Sequence, residues 1–264
     1  MNIGIITCCY HLAIYGYEYP TPFDWGKMCG DYRSDYTKED FLALAKKIRG
    51  FGYDSLEIWE PMFSSRVYSE ADAREMSEKL REMGYKAIAY CVGGLCGEGA
   101  AEVDNYFAFA AALGCRVVTG CLDIAQSERL LPIIQSAAEK YNLCYAIENH
   151  PKPNFYDPAE IAALTKSYSR IGANFDSGIY NAMGYDIGAA LDILCDKIFH
   201  VHLKDTTKHD GACHPLSEGD TGCDVVIKKL NARGFDGIVS AEIEAAGNPD
   251  EAVKRSFEFM RGCL

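Results

Sequence analysis

Eight short apolar runs recur along this chain, each followed by a segment of helical periodicity, and that alternation is the strongest constraint on its fold. The runs occupy residues 3–7, 55–59, 86–92, 116–119, 143–147, 171–175, 198–203 and 238–243. The first interleaved helix opens on Thr37, with Asp40 placed for a capping box and Phe41, Leu44, Ala45 and Ile48 on one face. Ser69 with Asp72 opens the next, running through Met76, Leu80 and Met83 to Gly84. Helical patterns follow over 102–113 and 125–141. A third opens on the N-cap and N1 pair Asp157–Pro158 and runs to Tyr168. Further patterns cover 187–196 and 225–233, and a terminal helix starts at Asn248, Pro249 and Asp250. About 33 residues per unit, with no linker or break in composition over 264 residues, predicts an α/β fold of parallel strands covered by helices. Eight such units make a (β/α)8 TIM barrel, one domain over residues 1–264. A doubly wound open sheet fits less well, because no GxGxxG follows the first strand and no P-loop occurs.

Strand ends carry the chemistry expected of such a barrel. In YAIENHP an apolar run ends in Glu148, Asn149 and His150; IGANFD ends at Asp176; IFHVHLKD carries His202 and Asp205; IVSAEIE carries Glu242 and Glu244. Active sites of barrels sit at the C-terminal mouth of the strands. Glu148, Asp176, His202 and Glu242, spaced by 28, 26 and 40 residues, fall at the ends of four successive strands and converge there. Three carboxylates and one imidazole form a hard, oxygen-rich set suited to Mn²⁺, Mg²⁺ or Co²⁺ rather than to a structural zinc, which recruits thiolates. Taken singly, each carboxylate is equally well explained as a loop cap or a partner for a neighbouring lysine. Along the seventh strand His200 and His202 alternate, so both face the barrel interior and only one need bind metal.

The net charge of −12 disfavours nucleic acid and anionic membrane surfaces as partners. The N-terminus lacks a basic n-region, and no apolar stretch of about 18 residues is long enough to span a membrane. Twelve cysteines without a CxxC pair (Cys91 and Cys96, for instance, are separated by four residues) point to free thiols in a reducing, cytoplasmic setting, most of them serving as small core residues. The stretch after the first strand, up to Tyr36, is rich in Tyr, Pro, Gly and Trp and has no helical period. Tyr10, His11, Tyr15, Tyr17, Phe23 and Trp25 there either wall a pocket or pack on the barrel rim.

The chain also resembles the xylose isomerase-like family of sugar phosphate isomerases and epimerases, relatives of endonuclease IV. The matching pieces are SLEIWE (55–60), AALGCRVV (111–118), ENHP (148–151), NFDSG (174–178), HVHLKD (200–205), HPLSEGD (214–220) and SAEIE (240–244), in order over most of the chain. The resemblance implies one divalent metal ion, Mn²⁺ first with Mg²⁺, Co²⁺ or Zn²⁺ as alternatives, held by Glu148, Asp176, His202 and Glu242. It implies a small carbohydrate substrate and allows a homodimer. It also implies that Glu148 and Glu242 double as acid and base on opposite faces of a hydroxy-carbonyl substrate, whose enediolate the metal stabilises. Glu57, Trp59, Lys204, His214 and His11 are candidates for contacting substrate. Their rival roles are a rim salt bridge for Glu57, barrel-top filling for Trp59 and an ion pair with Asp205 for Lys204. The Gly219 to Gly222 segment is a candidate phosphate cradle.

Departures from the family narrow the function. Endonuclease IV has a histidine three positions after the sixth-strand Asp and an Asp two before a later histidine; Ile179 and Ala212 stand there. DNA cleavage is therefore disfavoured. Ile179 and Lys208 likewise depart from the ketose 3-epimerase pattern, leaving the metal site untouched. Isomerisation or epimerisation of a sugar or sugar phosphate is the leading expectation. Inosose dehydration, hydroxypyruvate-type isomerisation and a non-catalytic sugar-binding barrel or subunit are the alternatives.

Overall fold

The computed structural model describes every residue except Cys96 and His209. Strands β1 (Asn2–Ile6), β2 (Ser55–Trp59), β3 (Ala87–Leu95), β4 (Val117–Leu122), β5 (Cys144–Glu148), β6 (Ile171–Asp176) and β7 (Ile198–Leu203) run in sequence around a closed barrel. A short antiparallel hairpin, β8 (Asp205–Thr206) and β9 (Cys213–His214), leaves the mouth after β7, and β10 (Ile238–Ala241) closes the barrel against β1. All barrel pairings are parallel. The expected (β/α)8 architecture is therefore present, and all eight expected strands lie in it.

Ten α-helices cover the described chain: α1 (Trp25–Asp35), α2 (Lys38–Gly50), α3 (Glu70–Glu82), α4 (Ala100–Ala112), α5 (Ser127–Tyr141), α6 (Pro158–Thr165), α7 (Ser177–Ala182), α8 (Ile187–Leu194), α9 (Cys223–Ala232) and α10 (Asp250–Gly262). The two anticipated capping boxes form: Thr37 and Asp40 exchange side chain-to-backbone bonds at the start of α2, and Ser69 and Asp72 do so at α3. Apolar faces of α2 and α3 then bury Phe41, Leu44, Ala45 and Ile48, and Ala73, Met76 and Leu80.

Two helices lack a periodic signature. Helix α1 occupies the segment expected to be aperiodic. Its sequence, WGKMCGDYRSD, carries two glycines and no apolar stripe; the Asp24 carboxylate starts it by accepting from Lys27 N at 2.8 Å. Tertiary contact does the rest, because Met28 and Tyr32 are buried and the Tyr32 hydroxyl donates to Tyr10 O at 2.7 Å. Helix α7 is only six residues long, too short for periodicity to register. The eleven described cysteines are free thiols, and Cys96 lies outside the described residues. Among the described residues no helix is long and apolar enough to cross a membrane.

Candidate metal centre

Side chains inside the barrel fall into layers set by the alternation of each strand. Near the N-terminal end Ala89, Val117, Ala146 and Ile238 form a small apolar cluster. Above it lies a buried polar layer containing Glu57, Thr119, Asn174, His200 and Ser240. Two residues further along β6 and β7, Asp176 and His202 are register partners, as Asn174 and His200 are below them. Glu148, at the last position of β5, and Glu242, just past β10, complete the upper layer.

Glu148, Asp176, His202 and Glu242 each offer one ligand atom within 4.8 Å of the others, and all four are buried. The structure thus brings together the four residues selected from the strand ends. His202 Nδ1 lies 3.1 Å from Glu242 Oε2 and 3.6 Å from Glu148 Oε1. His202 Nδ1, Glu242 Oε2 and Asp176 Oδ2 are all buried without a hydrogen-bond partner. Buried polar atoms are normally paired. Three unpaired atoms here belong to residues whose ligand atoms lie within 4.8 Å of one another, and hard carboxylate oxygens with one imidazole fit a divalent ion.

Local structure holds each candidate ligand in place. Asp176 ends β6 and is the N-cap of α7: Oδ1 accepts from Ile179 N at 2.9 Å, leaving Oδ2 free. Its backbone is clamped by Asn149, whose side chain accepts from Asp176 N at 2.8 Å and donates to Asp176 O at 3.0 Å. His202 is held through its other nitrogen, with Nε2 3.0 Å from Glu57 Oε2. Glu242 Oε1 meets Cys8 Sγ at 3.6 Å and Lys204 Nζ at 3.5 Å.

Charges in the site are strongly perturbed. Burial and the neighbouring Glu242 and Glu148 carboxylates push the Asp176 carboxyl well above its ordinary range against the pull of Lys204. Burial acts to lower the His202 imidazole, yet Glu57, Glu242 and Glu148 together hold it well above its usual value. For Glu242 burial is likewise outweighed, here by Lys204 and His202, and its carboxyl is lowered. A concentration of negative charge around an imidazole is what a divalent cation would relieve.

Two other acid-rich groupings lie nearby. Cys8, Glu242 and Glu244 also converge, but the Lys204 ammonium pairs with Glu244 and lies 3.5 Å from Glu242, compensating both carboxylates. Glu57, His200 and His202 meet through contacts of 2.7 and 3.0 Å, hydrogen-bond lengths that leave no room for an ion between them. A separate cavity of about 560 Å³ opens at the opposite, N-terminal end, lined by Ala87, Val117, Cys144, Phe199 and Ile238 among others. None of the three acidic clusters lies among its lining residues.

Several expected substrate contacts take different positions. Glu57 is 0% exposed and meets neither substrate space nor a rim lysine: it sits beneath His202, bonded to Thr119, His200 and His202. Lys204 does not pair with Asp205; it pairs with Glu244 and approaches Glu242, beside the ligand cluster. Asp205 instead accepts the backbone N–H groups of Ser217, Gly219 and Thr221 at 2.8, 3.0 and 3.1 Å. The segment expected to cradle phosphate is therefore wrapped around the protein's own carboxylate. A Cβ on Gly219 would fall 2.4 Å from Asp205 Oδ1, so this loop needs glycine for close approach.

The aromatic segment does reach the mouth. His11 is buried, 2.9 Å through Nδ1 from Cys8 O and 3.3 Å through Nε2 from the Tyr19 hydroxyl, and burial lowers its basicity. A chain of ring contacts runs from His11 and Tyr19 through Phe23 and Trp25 to Trp59. Trp59 is nearly buried, with Tyr32 against it edge-on, so it fills the barrel top, whereas Tyr19, Phe23 and Trp25 remain exposed. Tyr10 and Tyr15 turn away from the mouth, donating to Asp250 and Asp31. His214 is half-buried on the β8–β9 hairpin, 2.7 Å from the Thr207 hydroxyl. Cys8, Asn149 and Thr119 are site-supporting residues whose types carry no catalytic signal in sequence.

The sequence profile of the xylose isomerase-like TIM barrels matches residues 42–263. The chain belongs to that family. It is 26% identical over 210 residues to MJ1311, an uncharacterised protein of Methanocaldococcus jannaschii, covering 73% of this chain and 69% of that protein. Among solved structures it superposes on an L-ribulose 3-epimerase with a TM-score of 0.77 at 15% identity, covering 100% of this chain and 95% of the other. It also superposes on AsbF of Bacillus anthracis, a probable 3-DHS dehydratase, with a TM-score of 0.70 at 16% identity and 99% of both chains covered. At these identities the likeness is one of fold.

Proposed function

We propose that this xylose isomerase-like barrel is a divalent-metal-dependent enzyme that isomerises or epimerises a small hydroxy-carbonyl compound, a sugar or sugar derivative. The observation that carries this reading is the convergence of the unpartnered, buried Asp176 Oδ2, His202 Nδ1 and Glu242 Oε2 beside Glu148. Glu148, Asp176, His202 and Glu242 would hold the ion. When bound, it supplies Lewis-acid polarisation of the substrate carbonyl and takes up charge developing on the substrate oxygens. Mn²⁺ is the first choice for this donor set, with Mg²⁺, Co²⁺ and Zn²⁺ as alternatives.

The chain's own residues carry the proton. Glu148 and Glu242 flank His202 from different strands, and each keeps a small exposed fraction, 8% and 5%, toward the mouth. One carboxylate removes the proton from the carbon next to the carbonyl and the other delivers a proton, to the opposite face of that carbon in epimerisation or to the former carbonyl carbon in isomerisation. Lys204, beside Glu242 Oε1, offers an ammonium donor toward a substrate oxygen. The aromatic wall from His11 to Trp25 presents apolar surface to a sugar ring and excludes water. The fold shared with epimerases supports this reading.

Dehydration is the second reading, favoured by the ammonium beside Glu242: the same abstraction followed by loss of a hydroxyl on the next carbon needs such an acid. Metal analysis tests the shared premise. Protein stripped and refilled with Mn²⁺ should hold one ion per chain, and His202→Ala or Asp176→Asn should lose it. A wild-type chain that rebinds no divalent ion would defeat the proposal.

A further inference from the structure

We propose that Glu57 is the positioning residue of the metal centre, holding the proton of His202 on Nε2 and thereby aiming the Nδ1 lone pair at the cation. This rests on the metal-centre reading above and extends it to a carboxylate that touches neither substrate nor ion.

The argument starts from the imidazole. A neutral ring has one N–H and one lone pair, and only the nitrogen without the proton can ligate. His202 Nδ1 faces Glu148 and Glu242, so ligation requires the proton on Nε2. Nε2 lies 3.0 Å from Glu57 Oε2, a hydrogen-bond distance to an acceptor-only group. Glu57 arrives from β2, across the barrel from β7, and both residues are buried. No loop movement separates them.

Glu57 is itself prevented from turning. Its Oε1 accepts from the Thr119 hydroxyl at 2.6 Å, and Oε2 also meets His200 Nε2 at 2.7 Å. His200 Nε2 lies 3.1 Å from Ser240 Oγ as well. The two imidazoles stand edge to face with ring centres 5.6 Å apart, so one carboxylate sets the orientation of both. Thr119 of β4 and His200 of β7 thus fix the rotamer of Glu57, and Ser240 of β10 in turn steadies His200. Carboxylate partners of this kind also raise the basicity of a ligating histidine, and their loss commonly weakens metal binding by about 10–100-fold.

The test uses Zn²⁺ and Mn²⁺ on the full chain. Nitrogen-15 NMR of the Zn²⁺-loaded wild type should show His202 bound through Nδ1, with an exchange-protected Nε2 proton. Glu57→Gln, isosteric but uncharged, should weaken Mn²⁺ affinity about 10–100-fold at unchanged stoichiometry and lose that protection. Zinc bound through Nε2, or a folded Glu57→Gln with wild-type affinity, would overturn the proposal. The wild-type NMR decides it even if the variant fails to fold. A wild type that binds neither metal would instead bring down the metal-centre reading on which the proposal stands.

Discussion

The Lys204 ammonium lies 3.5 Å from Oε1 of Glu242, whose other oxygen faces His202. One carboxylate therefore stands between a fixed cation of the protein and the place proposed for a metal ion. Lys204 also pairs with Glu244 and is buried, so burial, which would lower its basicity, is overcome by Glu242, Glu244 and Asp176 and the ammonium is retained. Replacing it with Met leaves these carboxylates uncompensated. Metal-free Lys204→Met is expected to lose about 3–5 kcal/mol of stability, measurable by urea titration. Its Mn²⁺ affinity should rise by about tenfold, roughly 1.4 kcal/mol, because a like charge beside the ion is gone. Weaker Mn²⁺ binding by a folded variant would mean that Lys204 shapes the site rather than opposing the cation.

The loop around Asp205 yields a stability prediction. Gly219→Ala places a methyl 2.4 Å from the carboxylate and must displace a segment whose three N–H groups bind it. A loss of about 1–3 kcal/mol is expected. Inorganic phosphate should stabilise neither the variant nor the wild type through this loop, since its donors are already engaged. Thermal melts with and without phosphate check both points.

The Asp72 capping box should give a pH-dependent contribution. Lys38, together with Ser69, holds the Asp72 carboxyl below its ordinary range. A depressed carboxylate contributes stability above the unfolded-state value, about 3.9, and loses it as pH falls through the lower folded-state value. Asp72→Ala should therefore cost about 1 kcal/mol at neutral pH, and the gap from wild type should close as pH falls below about 4. Paired denaturant titrations at pH 7 and in the acid range would reveal a pH-independent gap if the pairing contributes nothing.

Thiol reactivity should follow burial. Burial pushes Cys29 and Cys213 up to about 11, which leaves almost no thiolate at neutral pH, whereas Cys195 is exposed. Limited maleimide labelling mapped by mass spectrometry should modify Cys195 well before Cys29 or Cys213. Labelling in the reverse order would contradict the packing around β9.

Much of this architecture is legible in sequence because periodicity is a local property. Each barrel strand is a short apolar run, and each candidate ligand lies at or beside the end of one, so the cluster of Glu148, Asp176, His202 and Glu242 is legible without coordinates. The depth of Glu57 was not legible. Its neighbours, Trp59 and Glu60, are equally compatible with a rim position, and only closure of the barrel places β2 where its carboxylate meets β7. Helix α1 escaped for a related reason: Met28 and Tyr32 bury against distant segments, and the helix has no stripe of its own. The Gly219 to Gly222 segment misled because its backbone donors do bind an anion, the one supplied by Asp205 from an adjacent turn of chain.

Solvent exchange on the metal-loaded enzyme tests the central claim most directly. Mn²⁺-refilled protein incubated in D₂O with a panel of ketoses, aldoses and inososes should place deuterium on the carbon next to the carbonyl of at least one compound. Glu148→Gln and Glu242→Gln should each reduce that uptake by at least about 10²-fold, the scale of a lost acid or base. A protein that holds its metal, binds a sugar and exchanges no proton in any of them would contradict the account and mark the barrel as a binding protein.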